Sequence, residues 1–179
     1  MIVSDFETFF SPGATLMNAT MTKTPSMGST SAGQGTCDTD NLNKLLRGEL
    51  SAVETYEQAL TKFQGQPIGE DLRELRDEHQ QAVSHWEERI RHFGAEPAAS
   101  SGAWGIFTAA VTGTAKIIGP ATVLEALKKG EGQGIGDYEE ALENPKVDAE
   151  CKTMIRDRFL PACRRHSAEL EQMMASAAK

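Results

Sequence analysis

The chain has 179 residues, with 18 Lys and Arg against 26 Asp and Glu, which gives a formal net charge of −8 at pH 7. This acidic balance argues against a surface that collects nucleic-acid phosphates, so we expect no nucleic-acid partner. Only 6% of the residues are aromatic, and the β-branched residues form no alternating runs, which disfavours a β-rich fold.

The cysteines give a first indication of compartment. Cys37, Cys151 and Cys163 form no C-x-x-C pair. Neither a disulfide framework nor a zinc ribbon is therefore expected, and the reducing cytoplasm is the predicted location.

The N-terminal region differs in composition from the rest. Residues 1–38 are rich in Ser, Thr, Gly, Met and Pro and lack a repeating apolar face. Such a segment cannot bury enough apolar surface to offset the entropy of ordering, so we predict a disordered tail.

A first helical hairpin is predicted over residues 39–95. Asp38 or Asp40 can cap a helix with one apolar stripe, which ends before Gly65. The second helix begins near residue 70 and ends at Gly94.

A second hairpin is predicted over residues 120–176. Its first helix follows Pro120 and ends at Asn144-Pro145, and its second helix begins near Asp148. Together the two hairpins predict an all-α four-helix bundle over residues 39–176.

The segment 96–119 joins the hairpins and is too long for a tight turn. It lets the chain cross the length of the bundle before the third helix starts, which predicts a bundle with one long crossover. Its apolar part, 103–118, is interpreted as a short helix across the bundle, with contact to a membrane surface or a hydrophobic ligand as the alternative. It is too short and too often interrupted for a transmembrane segment, so none is predicted.

The two hairpins carry an internal repeat. Gly48-Glu49 matches Gly130-Glu131, Tyr56 matches Tyr138, and an Ala-Leu pair follows each tyrosine at the same constant offset. This repeat indicates a duplicated helical hairpin.

The unusual members of the repeat are Glu49 and Glu131, which both lie on apolar stripes. A buried carboxylate costs several kcal/mol unless it is paired, protonated or bound to a metal. His85 and His166 lie near the level of these carboxylates, on the second helix of each hairpin. We therefore predict that these four side chains converge at the bundle centre, either as metal ligands or as a hydrogen-bonded polar core.

Three further residues fall near this predicted centre: Glu78, His79 and Cys163. Glu78 is interpreted as a substitute ligand. Cys163 is interpreted as a small apolar filler, with a soft substitute ligand as the alternative. His79 shares the apolar stripe of its helix and is interpreted as a hydrogen-bonded core residue. We accordingly expect His85 and His166 to flank the carboxylates more closely than His79 or His92 does.

The repeat also carries a family resemblance over residues 41 to about 175. The E-x-x-A-x-x-x-Y pattern of Glu49, Ala52 and Tyr56, and its Gly-containing copy, resemble the first and third helices of the ferritin-like superfamily and of rubrerythrin-like proteins in particular. The copy consists of Glu131, Gly134 and Tyr138. The Gly-Glu, Tyr and crossover features also resemble the demethoxyubiquinone hydroxylases. The Leu-x-x-Gly-Glu and Tyr-x-x-Ala-Leu patterns are most similar to those of an uncharacterised bacterial group of ferritin-like domains of unknown function.

The resemblance implies a site for iron or another divalent metal and a redox or stress-related role. The second and fourth helices of the superfamily carry E-x-x-H, which His85 and His166 match. Ala82 and Cys163 occupy the glutamate positions, so half of the implied ligand set is absent. The alternative is a metal-free structural or interaction bundle, and a homodimer is plausible for a bundle of this size.

Overall fold

The computed structural model of the chain describes residues 37–102 and 119–177. These residues form four helices and contain no β-strand, as the sequence predicts. Helices α1, α2 and α3 span Thr39–Lys62, Ile68–His92 and Pro120–Glu143. Helix α4 consists of an α-helical segment Ala149–Met154, a π-helical segment Ile155–Phe159 and an α-helical segment Leu160–Ala177.

The ends of the helices follow from local chemistry. Asp38, rather than Asp40, is the N-cap of α1, and its carboxylate accepts a hydrogen bond from the Asn41 N–H at 3.1 Å. Asp148 caps α4 in the same way through the N–H groups of Glu150 and Cys151. The predicted helix boundaries are thus confirmed to within about two residues, which is the usual uncertainty of a helix end.

The helices form two hairpins that pack on each other. Helix α1 packs mainly against α2 and α3, while α4 packs mainly against α3 and makes a smaller contact with α2. Glu49 and Tyr56 of α1 meet Tyr138 and Glu131 of α3, respectively, so α1 and α3 run in opposite directions.

This arrangement places the end of α2 and the start of α3 at opposite ends of the bundle. After α2 the chain returns along α1: the Ala98 N–H donates to Asn43 at 2.7 Å, and the Ser101 hydroxyl donates to Glu54 at 2.8 Å. The described residues after α2, up to residue 102, thus run along α1 from Asn43 to Glu54. The predicted tail within 1–36 and the predicted short helix within 103–118 lie outside the described residues.

The buried core is divided into two apolar clusters. One contains Trp86, Tyr138 and Ile155, and the other contains Tyr56, Leu72 and Leu127, each with further apolar neighbours. Between them along α2, α3 and α4 lie the buried His79, Glu131 and His166, and Glu49 of α1 contacts His79. We call the following four side chains the polar layer: Glu49, His79, Glu131 and His166, which are 6%, 5%, 3% and 1% exposed.

The π-helical segment of α4 was not predicted from the sequence. It delivers Phe159 to the apolar cluster next to the polar layer, where its ring stacks on Tyr138 at 5.9 Å and lies 5.2 Å from Trp86. A π-helical turn accommodates an extra residue within an α-helix and is frequent beside functional sites.

None of the helices in residues 37–102 and 119–177 combines the length and apolar character needed to cross a bilayer.

Helix α3 contains glycines that packing does not require. A Cβ added at Gly132 or Gly136 would have no atom within 4 Å, and both residues are exposed within the helix. We predict that Gly132→Ala and Gly136→Ala each raise the free energy of unfolding by about 0.5–1 kcal/mol in urea denaturation, because alanine loses less backbone entropy in a helix. Gly94→Ala is the matched control: Gly94 has φ 77°, so a side chain there should destabilise the protein by about 1–2 kcal/mol. Equal effects at all three positions would contradict this account.

Candidate metal centre

The polar layer is organised around one histidine. His79 Nδ1 lies 2.7 Å from Glu49 Oε2, and His79 Nε2 lies 2.9 Å from Glu131 Oε1. The imidazole thus bridges the two carboxylates that the internal repeat places on α1 and α3. A ring that bonds a carboxylate through each nitrogen is held best as the doubly protonated imidazolium.

Electrostatics support this protonation state. Burial disfavours the charged ring, but the adjacent carboxylates of Glu131 and Glu49 outweigh burial and hold the pKa of His79 well above its ordinary value. Burial would likewise raise the pKa of Glu131, yet the charge and hydrogen bond of His79 and the proximity of His166 keep that pKa below its ordinary range. The trio is therefore one cation between two anions.

Two tyrosines complete the hydrogen bonding of the carboxylates. The Tyr56 hydroxyl donates to Glu131 Oε1 at 2.6 Å, and the Tyr138 hydroxyl donates to Glu49 Oε1. Each tyrosine thus donates a hydrogen bond to the glutamate of the other hairpin. Burial and the charge of the partner glutamate raise the pKa of both phenols well above the ordinary value, so they stay protonated as donors.

His166, on α4, is the fourth member of the polar layer. Its Nδ1 lies 3.5 Å from Glu131 Oε1, and its Nε2 lies 3.2 Å from Glu78 Oε2. Glu78 also accepts a hydrogen bond from Arg165; although burial opposes ionisation, Arg165 and His166 keep the pKa of Glu78 below its ordinary value. The rings of His79 and His166 meet edge to face, with centroids 5.0 Å apart.

Two ligand-type atoms in this layer lack hydrogen-bond partners among the described residues. They are Glu131 Oε2 and His166 Nδ1, both fully enclosed. One nitrogen from each of His79 and His166, together with a Glu131 oxygen, lies within 4.8 Å of the others, a spacing that can hold a metal ion. An enclosed, unsatisfied polar atom is costly, so this pair indicates a missing partner.

The predicted position of His85 is wrong. Its ring packs against Trp86 and Phe159 at 5.1 and 5.2 Å, and burial, followed by the nearby arginines, lowers its pKa. His85 follows His79 by six residues, which moves it about 9 Å along α2 and onto another face of the helix. His79, interpreted from the sequence as a core residue, takes the place beside the carboxylates.

The remaining predicted residues lie at or near the layer. Glu49, Glu131 and His166 come together, and Glu78 contacts His166. Cys163 is buried beside Glu131, where burial and the two core glutamates raise the pKa of its thiol. A sequence signal for His79 exists: Glu49 and His79 lie at nearly equal distances from the turn at Gly65, so an antiparallel hairpin brings them to the same level.

A cavity of about 190 Å³ adjoins the layer between α2 and α4. We call it the α2–α4 cavity. Its inner wall is formed by Glu49, His79 and His166, and its outer side by Glu78, Gln81 and Arg158. The space between them is open because side chains such as Ala82 and Cys163 are small.

The bridging role of His79 has a pH-dependent consequence. Because its folded-state pKa is raised, the stabilisation from His79 is fully present below its unfolded pKa of about 6.5 and is lost as pH rises through the folded value. We predict that, in chelator-treated protein at pH 6, His79→Gln lowers the free energy of unfolding by about 3–5 kcal/mol, because the facing carboxylates lose their counter-charge. The difference from wild type should shrink as pH rises in denaturation series.

The matched control for this experiment is His85→Gln. His85 contacts neither carboxylate and its pKa is lowered, so its substitution should not reproduce a penalty that decreases towards high pH. A pH-independent difference for His79→Gln would contradict the imidazolium assignment.

Comparison with known proteins places residues 38–144 in a family described as "Domain of unknown function (DUF2383)". No curated protein and no solved structure shows a significant match. The matched range holds α1, α2 and α3 and includes Glu49, His79 and Glu131. Since the match covers more than half of the chain, the protein belongs to the DUF2383 family.

Proposed function

We propose that this protein is a ferritin-like four-helix bundle that binds one divalent transition-metal ion in its polar layer. The observation that carries the proposal is the pair of enclosed, unpartnered atoms, Glu131 Oε2 and His166 Nδ1, beside the Nε2 of His79. The crossover topology and the repeated Glu-Tyr pattern support the ferritin-like assignment.

The spacing of the donor atoms fits a single ion. Around an ion with bonds of about 2.1 Å, neighbouring ligand atoms are roughly 3.0–3.5 Å apart. Glu131 Oε1, in the same carboxylate as the unpartnered Oε2, lies 2.9 Å from His79 Nε2 and 3.5 Å from His166 Nδ1, which is close to this spacing. Two imidazoles and a carboxylate favour zinc, iron, manganese or cobalt over magnesium or calcium, which prefer all-oxygen sites.

Each histidine of this site has its own orienting carboxylate. Glu49 accepts from the Nδ1 side of His79, and Glu78 accepts from the Nε2 side of His166. This leaves the opposite nitrogen of each ring toward Glu131. Carboxylate–histidine pairs of this kind fix the tautomer and orientation of metal-binding imidazoles.

A two-iron centre does not fit these residues. Such a site in the superfamily uses four carboxylates and two histidines, with a Glu three residues before each His. Arg76 and Cys163 occupy those positions before His79 and His166. The redox or stress-related role that the resemblance implies would therefore rest on a single ion.

The second candidate is a metal-free structural or interaction bundle. Its supporting observation is that His79 and the two tyrosines already satisfy three of the four carboxylate oxygens of Glu49 and Glu131. In that case the layer acts only as a buried polar network that fixes the packing of the two hairpins.

Metal analysis separates the two candidates. After anaerobic incubation with Fe²⁺, Mn²⁺, Zn²⁺ or Co²⁺ and gel filtration, we expect one ion per chain by mass spectrometry for at least one metal. Glu131→Gln and His166→Gln should reduce this to background, while His85→Gln and His92→Gln should leave it unchanged. Absence of bound metal in the wild type under all four conditions would support the metal-free network instead.

Glu78 provides an independent test of the site. We predict that Glu78→Gln weakens metal binding about 10–100-fold in competition titrations, because His166 loses the anion that orients its ring. Glu169→Gln is the matched control, since Glu169 pairs with Arg165 at 3.4 Å but has no described contact with His166. Equal losses in the two variants would point to a general surface-charge effect.

A further inference from the structure

A second cavity, of about 50 Å³, lies between α1 and α3 beside the polar layer. We call it the α1–α3 cavity. One water requires roughly 10–15 Å³ of such space, so the cavity is large enough for an ion with a few waters. Small residues at equivalent positions of the internal repeat line it: Gly48 corresponds to Gly130, and Ala52 corresponds to Gly134. Among the described residues, no atom lies within 4 Å of a Cβ added at Gly48 or Gly130.

The α1–α3 cavity borders the proposed metal site through Glu131 and His79, two of the three proposed ligands. Glu131 is the ligand next to both histidines, since its Oε1 lies 2.9 Å from His79 Nε2 and 3.5 Å from His166 Nδ1. Glu131 Oε2 and His166 Nδ1 are enclosed, so an ion reaches them only if a side chain of the layer moves. A side chain in a close-packed core can move only into free space, and the α1–α3 cavity provides such space beside Glu131.

The α2–α4 cavity is larger, but it meets the histidines on the side away from the proposed ion. It is lined by Glu49 and Glu78, which bond the histidine nitrogens that do not face Glu131. Arg158 also lines it, whereas no lysine or arginine is among the described residues that line the α1–α3 cavity. An incoming cation therefore meets less electrostatic repulsion in the α1–α3 cavity.

The α1–α3 cavity reaches the surface at Gln133, which lines it and is exposed. Gln133 donates to Asp137 at 3.3 Å, and Asp137 pairs at 3.2 Å with Lys44, which is not among the described lining residues. The other carboxylate of the wall is that of Glu131. A path between small side chains thus leads from Gln133 to a proposed ligand.

We propose that the divalent ion enters and leaves the polar layer through the α1–α3 cavity, with Glu131 as the first ligand that it meets. This inference rests on the proposed metal site and adds the route by which that site is loaded, which a buried metal site requires. A route determines the rates of binding and release but not the affinity, because both directions cross the same barrier.

The test measures the rates at which the full-length protein exchanges Co²⁺, or another of the four ions above if Co²⁺ does not bind. Stopped-flow absorbance with a chelating dye follows binding, and excess chelator follows release at concentrations where the rate no longer depends on the chelator. Gly48→Leu and Ala52→Leu place a side chain in the cavity from α1, which supplies no proposed ligand. We expect both rates to fall in parallel by about tenfold or more, as for a barrier raised by overpacking, with an unchanged dissociation constant.

Two control variants separate the route from general effects of a leucine. Gly132→Leu adds the same side chain at an exposed position of α3 outside the cavity, and Ala162→Leu fills the α2–α4 cavity instead. Both should exchange the ion at the wild-type rates. Gly48→Leu replaces a glycine within a helix by a better helix former, so this variant should fold.

The outcomes distinguish the two proposals. If the ion binds but Gly48→Leu and Ala52→Leu exchange it at the wild-type rates, or if only Ala162→Leu slows exchange, the inferred route is wrong and the metal site stands. The route is also wrong if the two α1 variants weaken the affinity without slowing both rates. If the wild type binds none of the four ions, the proposed function fails, and this inference fails with it.

Discussion

The structure depends on a buried imidazolium between two buried carboxylates. An unpaired carboxylate in this core would cost several kcal/mol, and two facing each other would repel as well. His79 removes both costs at once, because each of its nitrogens bonds one carboxylate. Tyr56 and Tyr138 add a neutral donor to each carboxylate without adding charge. The packing of three helices is thereby tied to one ring, and the apolar clusters on either side can be ordinary close-packed cores.

In the proposed metal site, binding of an ion and binding of a proton to His79 would be alternatives. In the absence of a metal, a proton on His79 supplies the positive charge between the carboxylates. A divalent ion held by His79, Glu131 and His166 would supply that charge instead and displace the proton, because only neutral imidazole is a ligand. Glu49 and Glu78 keep the same hydrogen-bonding role in both situations. The polar network and the proposed metal site would therefore be two states of the same set of residues.

Much of the fold could be predicted because its signals are local. Caps at Asp38 and Asp148, terminators such as Gly65 and the apolar stripes fix the helices within about two residues. The sequence also allowed Glu49, Glu131 and His166 to be predicted as members of the site, because a polar residue repeated on an apolar stripe needs a buried partner. The choice between His79 and His85 was harder to predict: equal distance from the turn at Gly65 favours His79, but the axial level of α2 against α1 also depends on the loop, and small differences in its geometry shift that level. The π-helical segment could not be predicted from the sequence, because one extra residue in a helix leaves the apolar spacing almost unchanged. That residue nevertheless determines the direction of the Phe159 side chain.

The crossed tyrosine–glutamate bonds bear on how the two halves of the molecule depend on each other. Tyr56 donates to a carboxylate of the second hairpin, and Tyr138 donates to one of the first. Neither hairpin encodes the phenol that its own glutamate uses, so a hairpin folded by itself would bury an anion without that donor. The two halves therefore depend on each other. If one hairpin unfolds, the glutamate of the other loses its tyrosine donor, which favours cooperative, all-or-none folding of the pair.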